Sequence, residues 1–191
     1  GSLPRLFRND IESFQRGKPY LAPNSERVTD FQHRLSAYKD KRIVGICWRS
    51  GIVTADRGLH YAPLSSWKPI FDIQNTVFVN LQYGDCTNEL QQAREILGVD
   101  IIEWSDLDLR NDLEGLAALI SNLDCVISVG TAVAQMAGAL GKHLMLMTPR
   151  GWTLFGQTHY PWFGNTDLFI AESNQSVESL IPQVVKHLET F

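Results

Sequence analysis

The 191-residue chain carries no excess of positive charge: 17 Lys and Arg against 21 Asp and Glu leave a formal net charge of −4. No basic face is offered to nucleic acid or anionic lipid, so a nucleic-acid partner is not expected. No apolar run approaches the roughly 18–20 residues that a membrane-spanning helix needs, and no leader pattern opens the chain. A soluble, cytoplasmic protein is expected. Cysteine is scarce: Cys47, Cys86 and Cys125 are odd in number and far apart, and two of them sit in apolar runs. They read as reduced core thiols. The five histidines show no metal-ligand spacing, and HExxH, CxxC and GxSxG are absent. Neither a metal site nor serine-hydrolase chemistry is expected. No GxGxxG follows a strand, which argues against a dinucleotide oxidoreductase. Internal repeats and low-complexity tracts are lacking too.

What is present is a core. Hydrophobic residues make up 44% of the chain, enough for one compact domain. Gly1-Ser2 reads as a cloning remnant, which predicts a fragment of a longer protein. Residues 1–41 read as an arm with one linker helix, SERVTDFQHRLSAY, whose Val28, Phe31 and Leu35 recur at helical spacing. From Arg42 to the end the texture is that of a Rossmann-like domain. Five short apolar runs are predicted strands: RIVGICW (42–48), TVFVNLQ (76–82), DIIEW (100–104), CVISV (125–129) and HLMLMTP (143–149). Helical patterns lie between and after them. SSWKPIFDIQ tolerates Pro69 only in a first turn, NELQQAREILG ends at Gly98 as a C-cap, and NDLEGLAALISNL places Leu113, Leu116, Ala117 and Ile120 on one face. The last helix, ending near Leu188, must start late or kink at Pro182. Strands alternating with helices predict an α/β class, a doubly wound parallel sheet.

In such a sheet ligands bind outside the carboxyl ends of the strands. The loops there read RSGIVTADRGLHY, QYGD, SDLDLRND, GT and RGWTLFGQTHYPW. After CVISV, Gly130 permits a tight turn, and the helix starting near Thr131 presents the unpaired amides of Thr131, Ala132 and Val133 at its positive end. A diphosphate is the ligand that suits them, and the plain alternative is an ordinary turn with Thr131 as N-cap. That helix is small-residue-rich and apolar on nearly every side, with Gln135 its one polar side chain a turn in. Arg49, Ser50 and Gly51 arrive at the same edge, and Arg57 follows; guanidinium pairs with phosphate through two parallel hydrogen bonds. Asp106-x-Asp108 has the spacing of a metal-holding pair, or simply of acids before a helix start. Trp48 and Trp104 close strands and are candidates for base stacking, while Trp152, Phe155, Tyr160, Trp162 and Phe163 wall a ligand or form a satellite core.

Taken together, IVGICWRSG, VFVNLQYGD, LEGLAALISNLDCVISVGTAVAQMAGALGKHLMLMTP and HYPWFGNTDLF resemble the carboxyl-terminal half of bacterial glycosyltransferases linked to tetratricopeptide repeats, similar to heptosyltransferases of glycosyltransferase family 9 and, more distantly, to O-GlcNAc transferases. The likeness runs from about Pro19 to Phe169. It implies one half of a GT-B fold, the donor-binding half, with a nucleoside diphosphate sugar as substrate and no cofactor or metal. It implies phosphate binding at Gly130, Thr131, Ala132 and Val133, with Arg49, Ser50, Gly51 and Arg57 assisting. Nucleoside or sugar contacts then fall to Gln82, Tyr83, Trp104, Asp112 and Gln135.

Two positions depart from the pattern. Relatives commonly read SVDTAVAHLAG where this chain reads SVGTAVAQMAG, so an acid is replaced by Gly130 and a histidine by Gln135. The catalytic base of such enzymes belongs to an amino-terminal acceptor domain outside this chain, so no catalytic residue is expected here and the fragment alone should be inactive. The expected function is donor binding in an inverting, metal-independent transferase of hexosyl or heptosyl type. The alternatives are a catalytically degenerate binding module and a sugar-nucleotide epimerase-like domain.

Overall fold

The computed structural model describes residues 2–14, 18–51 and 59–191. Five strands, β1 (Arg42–Cys47), β2 (Thr76–Asn80), β3 (Cys125–Val129), β4 (His143–Pro149) and β5 (Thr166–Ala171), form one parallel sheet in the order β2-β1-β3-β4-β5. All four pairings are parallel, with Gly45 opposite both Val79 and Val126, and Met145 opposite Ile127. The fold is Rossmann-like α/β. The chain runs outward from β1 to β2 and then crosses back over β1 to β3, so the topological switch point lies between the carboxyl ends of β1 and β3.

Side-chain alternation along the strands divides the core. Val44, Ile46, Trp48, Ile127, Val129, Met145 and Met147 point to one face, beneath α3 (Lys68–Phe71) and α7 (Ile181–Thr190). Ile43, Cys47, Val126, Leu144 and Leu146 point to the other, beneath α5 (Leu113–Ser121) and α6 (Ala132–Ala139). Both faces are covered, which is why the strands read as unbroken apolar runs. α1 spans Ser2–Phe7; α2 (Ser25–Arg34) buries Phe31 in the second core cluster and is tied to the loop before α5 by Arg34–Asp106 and Arg27–Asp112 ion pairs. Cys47 and Cys125 are fully buried thiols, pushed up to about 11 and about 12 by burial, so both stay protonated.

The helix signals behave as their chemistry requires. Pro69 and Pro182 both fall in first turns, where a proline removes no intrahelical hydrogen bond. α4 (Thr87–Gln92) continues into one π-helical turn at Ala93–Leu97 and stops at Gly98, which adopts the left-handed conformation at φ 69°. Two strand expectations need correction. The run at 100–104 is not a strand: only Ile102 pairs, bridging to Val79 at the sheet edge beyond β2. The fifth strand is instead Thr166–Ala171. Its polar opening, Thr166-Asp167, breaks the apolar run that marks the other strands, and the apolar remainder follows an aromatic loop that hides its start.

α6 lies unusually close to its covering loop. A Cβ at Gly138 would stand 2.1 Å from the Phe163 ring, so the helix backbone and the aromatic face are in direct contact. Gly138→Ala gains about 1 kcal/mol in helix propensity. Overpacking costs about 1–3 kcal/mol, and both partners here are buried. The clash wins, and the variant should show a lower urea midpoint than the parent; an equal or higher midpoint would contradict the contact.

Candidate functional site

Two cavities open at the carboxyl edge of the sheet, with Tyr83 in the wall of both. The larger, about 560 Å³, lies at the switch point and is lined by Ser50, His60, Tyr61, Gly130, Thr131, Ala132, Gln135, Thr148, Trp152 and Tyr160 among others. The smaller, about 350 Å³, sits over β2 and is lined by Asn80, Gln82, Asp85, Glu103, Trp104 and Arg110 among others.

The floor of the larger cavity is built by β3 and α6. Ser128 donates to the Val129 carbonyl at 2.7 Å, and its oxygen lies 3.1 Å from Thr131 Oγ1. Thr131 is extended at φ −128°, ψ 172° and its hydroxyl accepts from the Ala134 amide at 3.5 Å. Thr131 is therefore an N-cap, but it caps only the third amide of the helix. Those of Ala132 and Val133 have no acceptor within the helix, by the geometry of a helix start. The cap and the open amides coexist, since they use different groups. Gly130 is not demanded by a tight turn: its φ is not left-handed, and an added Cβ would meet only Thr148 Oγ1, at 4.0 Å. One wall is set by Gln135, which donates to the Tyr160 hydroxyl at 2.8 Å. Burial raises the pKa of that phenol, which stays neutral.

Arg49 is brought to this edge but not into either cavity lining. Its Nε donates to both Glu89 oxygens at 2.9 and 3.0 Å, its Nη2 bonds Glu89 and the Asp85 carbonyl, and the Trp48 indole donates to the same Glu89 at 2.7 Å. Glu89 holds the guanidinium further above its ordinary pKa. The expected phosphate clamp is thus a lock between the loop after β1 and α4. Trp48 is fully buried, so it stacks on no base. Arg57 lies outside the described residues. Among the described residues the larger cavity is lined by no lysine or arginine, and His60 is its one ionisable nitrogen.

Of the other expected residues, Gln82 is buried and satisfied internally. It accepts from the Arg49 amide at 3.0 Å and donates to the Tyr83 carbonyl at 3.0 Å, joining the loops after β1 and β2. Gly51 lies under the Tyr83 ring, where a Cβ would come within 2.9 Å. Trp104 borders the smaller cavity and packs edge-on against Phe31 at 5.5 Å. Asp112 is spent structurally, capping α5 through the Gly115 amide at 2.9 Å and gripping Arg27 through both oxygens. The Asp106-x-Asp108 pair is likewise structural, Asp106 bound to Arg34 and Asp108 closing its own turn on Arg110 and Asn111. Sequence reasoning passed over Thr148 and His60 in the larger cavity. Both fall under the carboxyl-edge rule: Thr148 near the end of β4, and His60 within the loop that follows β1.

No protein-family model matches the chain. It is 34% identical over 190 residues to protein FlbA of Caulobacter vibrioides, a match covering 99% of this chain and 32% of that protein. The chain spans about a third of the length of the curated relative it matches. Among solved structures, a family 9 glycosyltransferase from Veillonella parvula superposes with a TM-score of 0.65 at 12% identity, covering 94% of this chain and 55% of that one. Escherichia coli ADP-heptose lipopolysaccharide heptosyltransferase II superposes with a TM-score of 0.57 at 17% identity, covering 89% and 52%. The chain has a glycosyltransferase-like fold, corresponding to about half of these GT-B proteins.

The Glu89 lock gives a direct test. Its guanidinium is 16% exposed on the side chain, and hydrogen bonds to charged groups contribute about 1.5–3 kcal/mol. Arg49→Ala should lower unfolding stability by about 1–2 kcal/mol after allowing for residual solvent. Arg49→Lys should recover only part of this, because an ammonium cannot reproduce the fork. Unchanged urea midpoints in both variants would remove the lock.

Proposed function

We propose that the chain is the donor-binding half of a GT-B glycosyltransferase, holding a nucleoside diphosphate sugar in the larger cavity. The observation that carries this reading is the amino end of α6, where Ala132, whose amide has no acceptor within the helix, lines a cavity of about 560 Å³ at the switch point of a parallel sheet. Backbone amides and the helix dipole suit a diphosphate, with Ser50, Gly130 and Thr131 beside them. The remaining lining, Gln135, Thr148, Trp152 and Tyr160, suits a sugar, combining polar groups with aromatic faces. Tyr83 and Trp104 border the smaller cavity, which the nucleoside would enter across Tyr83.

In this reading the protein's contribution to chemistry is charge stabilisation. As the glycosidic bond to the diphosphate breaks, negative charge grows on the leaving oxygens, and amides already fixed by a buried helix meet it without reorganising. The cavity needs no metal for this, and transfer proceeds with inversion because one acceptor hydroxyl attacks opposite the leaving group. The base for that hydroxyl comes from a facing acceptor domain, which together with tetratricopeptide repeats belongs to the rest of the protein.

A degenerate, ligand-recognising module is the second reading, favoured by one observation. The backbone at Gly130 leaves room for a side chain, so nothing in the local geometry compels the loss of the acid found there in the resembled enzymes. Turnover of a nucleotide-sugar panel by the full-length protein separates the two readings.

Ala132→Pro tests the amides themselves. Position 132 is the first of the helix, where proline is favoured, and Thr131 already has the extended backbone a following proline requires. The substitution deletes one N–H and leaves the helix intact. Calorimetric affinity for uridine, guanosine, adenosine or cytidine diphosphate, whichever binds the parent best, should fall about tenfold, near 1.4 kcal/mol, with little change in melting temperature. Equal affinity in parent and variant would refute phosphate binding at α6.

A further inference from the structure

At the opposite, amino-terminal edge of the sheet, three side chains from three elements converge. His143 opens β4, Asp167 is the second residue of β5, and His187 projects from α7. Both imidazole Nε2 atoms face the same Asp167 oxygen, at 2.6 Å from His143 and 2.7 Å from His187. The candidate ligand atoms all lie within 4.8 Å of one another.

These short contacts are not hydrogen bonds. His143 Nε2 and Asp167 Oδ2 are buried and neither makes a hydrogen bond. The orientation of His143 is fixed from its other side. Asn165 donates its amide to the Gly141 carbonyl at 3.2 Å, which turns Asn165 Oδ1 toward His143 Nδ1 at 3.1 Å. Nδ1 then donates to Asn165, which leaves Nε2 as the ring atom on the side of Asp167. An Nδ1–H anchored on a carbonyl oxygen is the usual way a metal-ligating histidine is oriented. Two rings flank the group: Phe191 stacks on His143 at 4.5 Å and Phe169 meets His187 edge-on at 5.7 Å.

We propose that His143, Asp167 and His187 form a zinc-type metal site that clips α7 to β4 and β5. Two imidazoles and one carboxylate suit Zn²⁺ and its neighbours Co²⁺ and Ni²⁺, not the all-oxygen preference of Mg²⁺ or Ca²⁺. Tetrahedral coordination at the usual bond lengths separates ligand atoms by about 3.4 Å, so binding draws the carboxylate back by several tenths of an ångström, and water completes the shell. This site lies far along the sheet from α6 and stands independently of the donor reading.

The test uses the tag-free 191-residue chain after chelator treatment. ZnCl₂ at about a hundredfold excess over Kd should raise Tm by about 5–10 °C, and MgCl₂ should not. His187→Ala, at a half-buried position of α7, and Asp167→Asn should lose the zinc-specific shift. In the parent, Co²⁺ should give the visible absorption of a tetrahedral site. A parent that neither shifts with zinc nor colours with cobalt overturns the proposal, as does an undiminished zinc shift in both variants.

Discussion

The contact between the α6 backbone at Gly138 and the Phe163 ring governs more of this structure than its size suggests. A helix made almost wholly of Ala, Val, Met and Gly has little side-chain bulk to hold it away from its neighbours, so it settles flat between the sheet and the loop that follows β4. Val133, Ala134 and Ala137 are fully buried beneath it. With the axis fixed, the amino end is fixed too, at the switch point where the loop after β1 also arrives. The electrostatic character of the cavity is thus a consequence of packing: the sequence places no cation in the described lining, and the positive potential comes from peptide groups whose direction the core dictates.

The same economy explains Arg49. A guanidinium next to a diphosphate site looks like a ligand when the sequence is read locally. Glu89, forty residues on, takes it instead, and takes the Trp48 indole as well. The ion pair costs desolvation at both partners, which five hydrogen bonds to Glu89 and Asp85 offset. What it provides is a tie: Arg49 also gives its backbone amide to Gln82, so Arg49, the turn after β2 and α4 form one hydrogen-bonded body. Ser50 and Tyr83 are carried on that body to the cavity wall.

How much was readable follows from the range of each interaction. CVISV followed by GTAVAQMAGAL declares a buried strand, a cap and a buried helix within sixteen residues, and all three are found. Gly98, Pro69 and Pro182 act on their own backbones and were equally legible. DIIEW misled because an apolar run specifies burial without specifying a partner; at the sheet edge only Ile102 has one. Thr166–Ala171 was hidden because Asp167 faces the two histidines, so its charge reflects a neighbour 20 residues later in the chain rather than solvent. Asp112 and Asp106 were candidates by position, and their arginine partners on α2 sit more than seventy residues away. No local pattern encodes such pairings.

The cavity's one-sidedness bears on what the chain can do alone. A helix end at an exposed site contributes about 0.3–1 kcal/mol per charge, whereas preorganised donors lower a barrier strongly only where water is excluded. Trp152 lies on the cavity rim 79% exposed, a large apolar surface that water covers at a cost of about 25 cal/mol per Å². A facing surface that buried Trp152 would gain that energy and, in the same movement, dry the Ala132 amide. Both ends would be served by one closure. The donor-binding reading therefore calls for a second wall, and the exposed Trp152 is where burial by that wall would gain most.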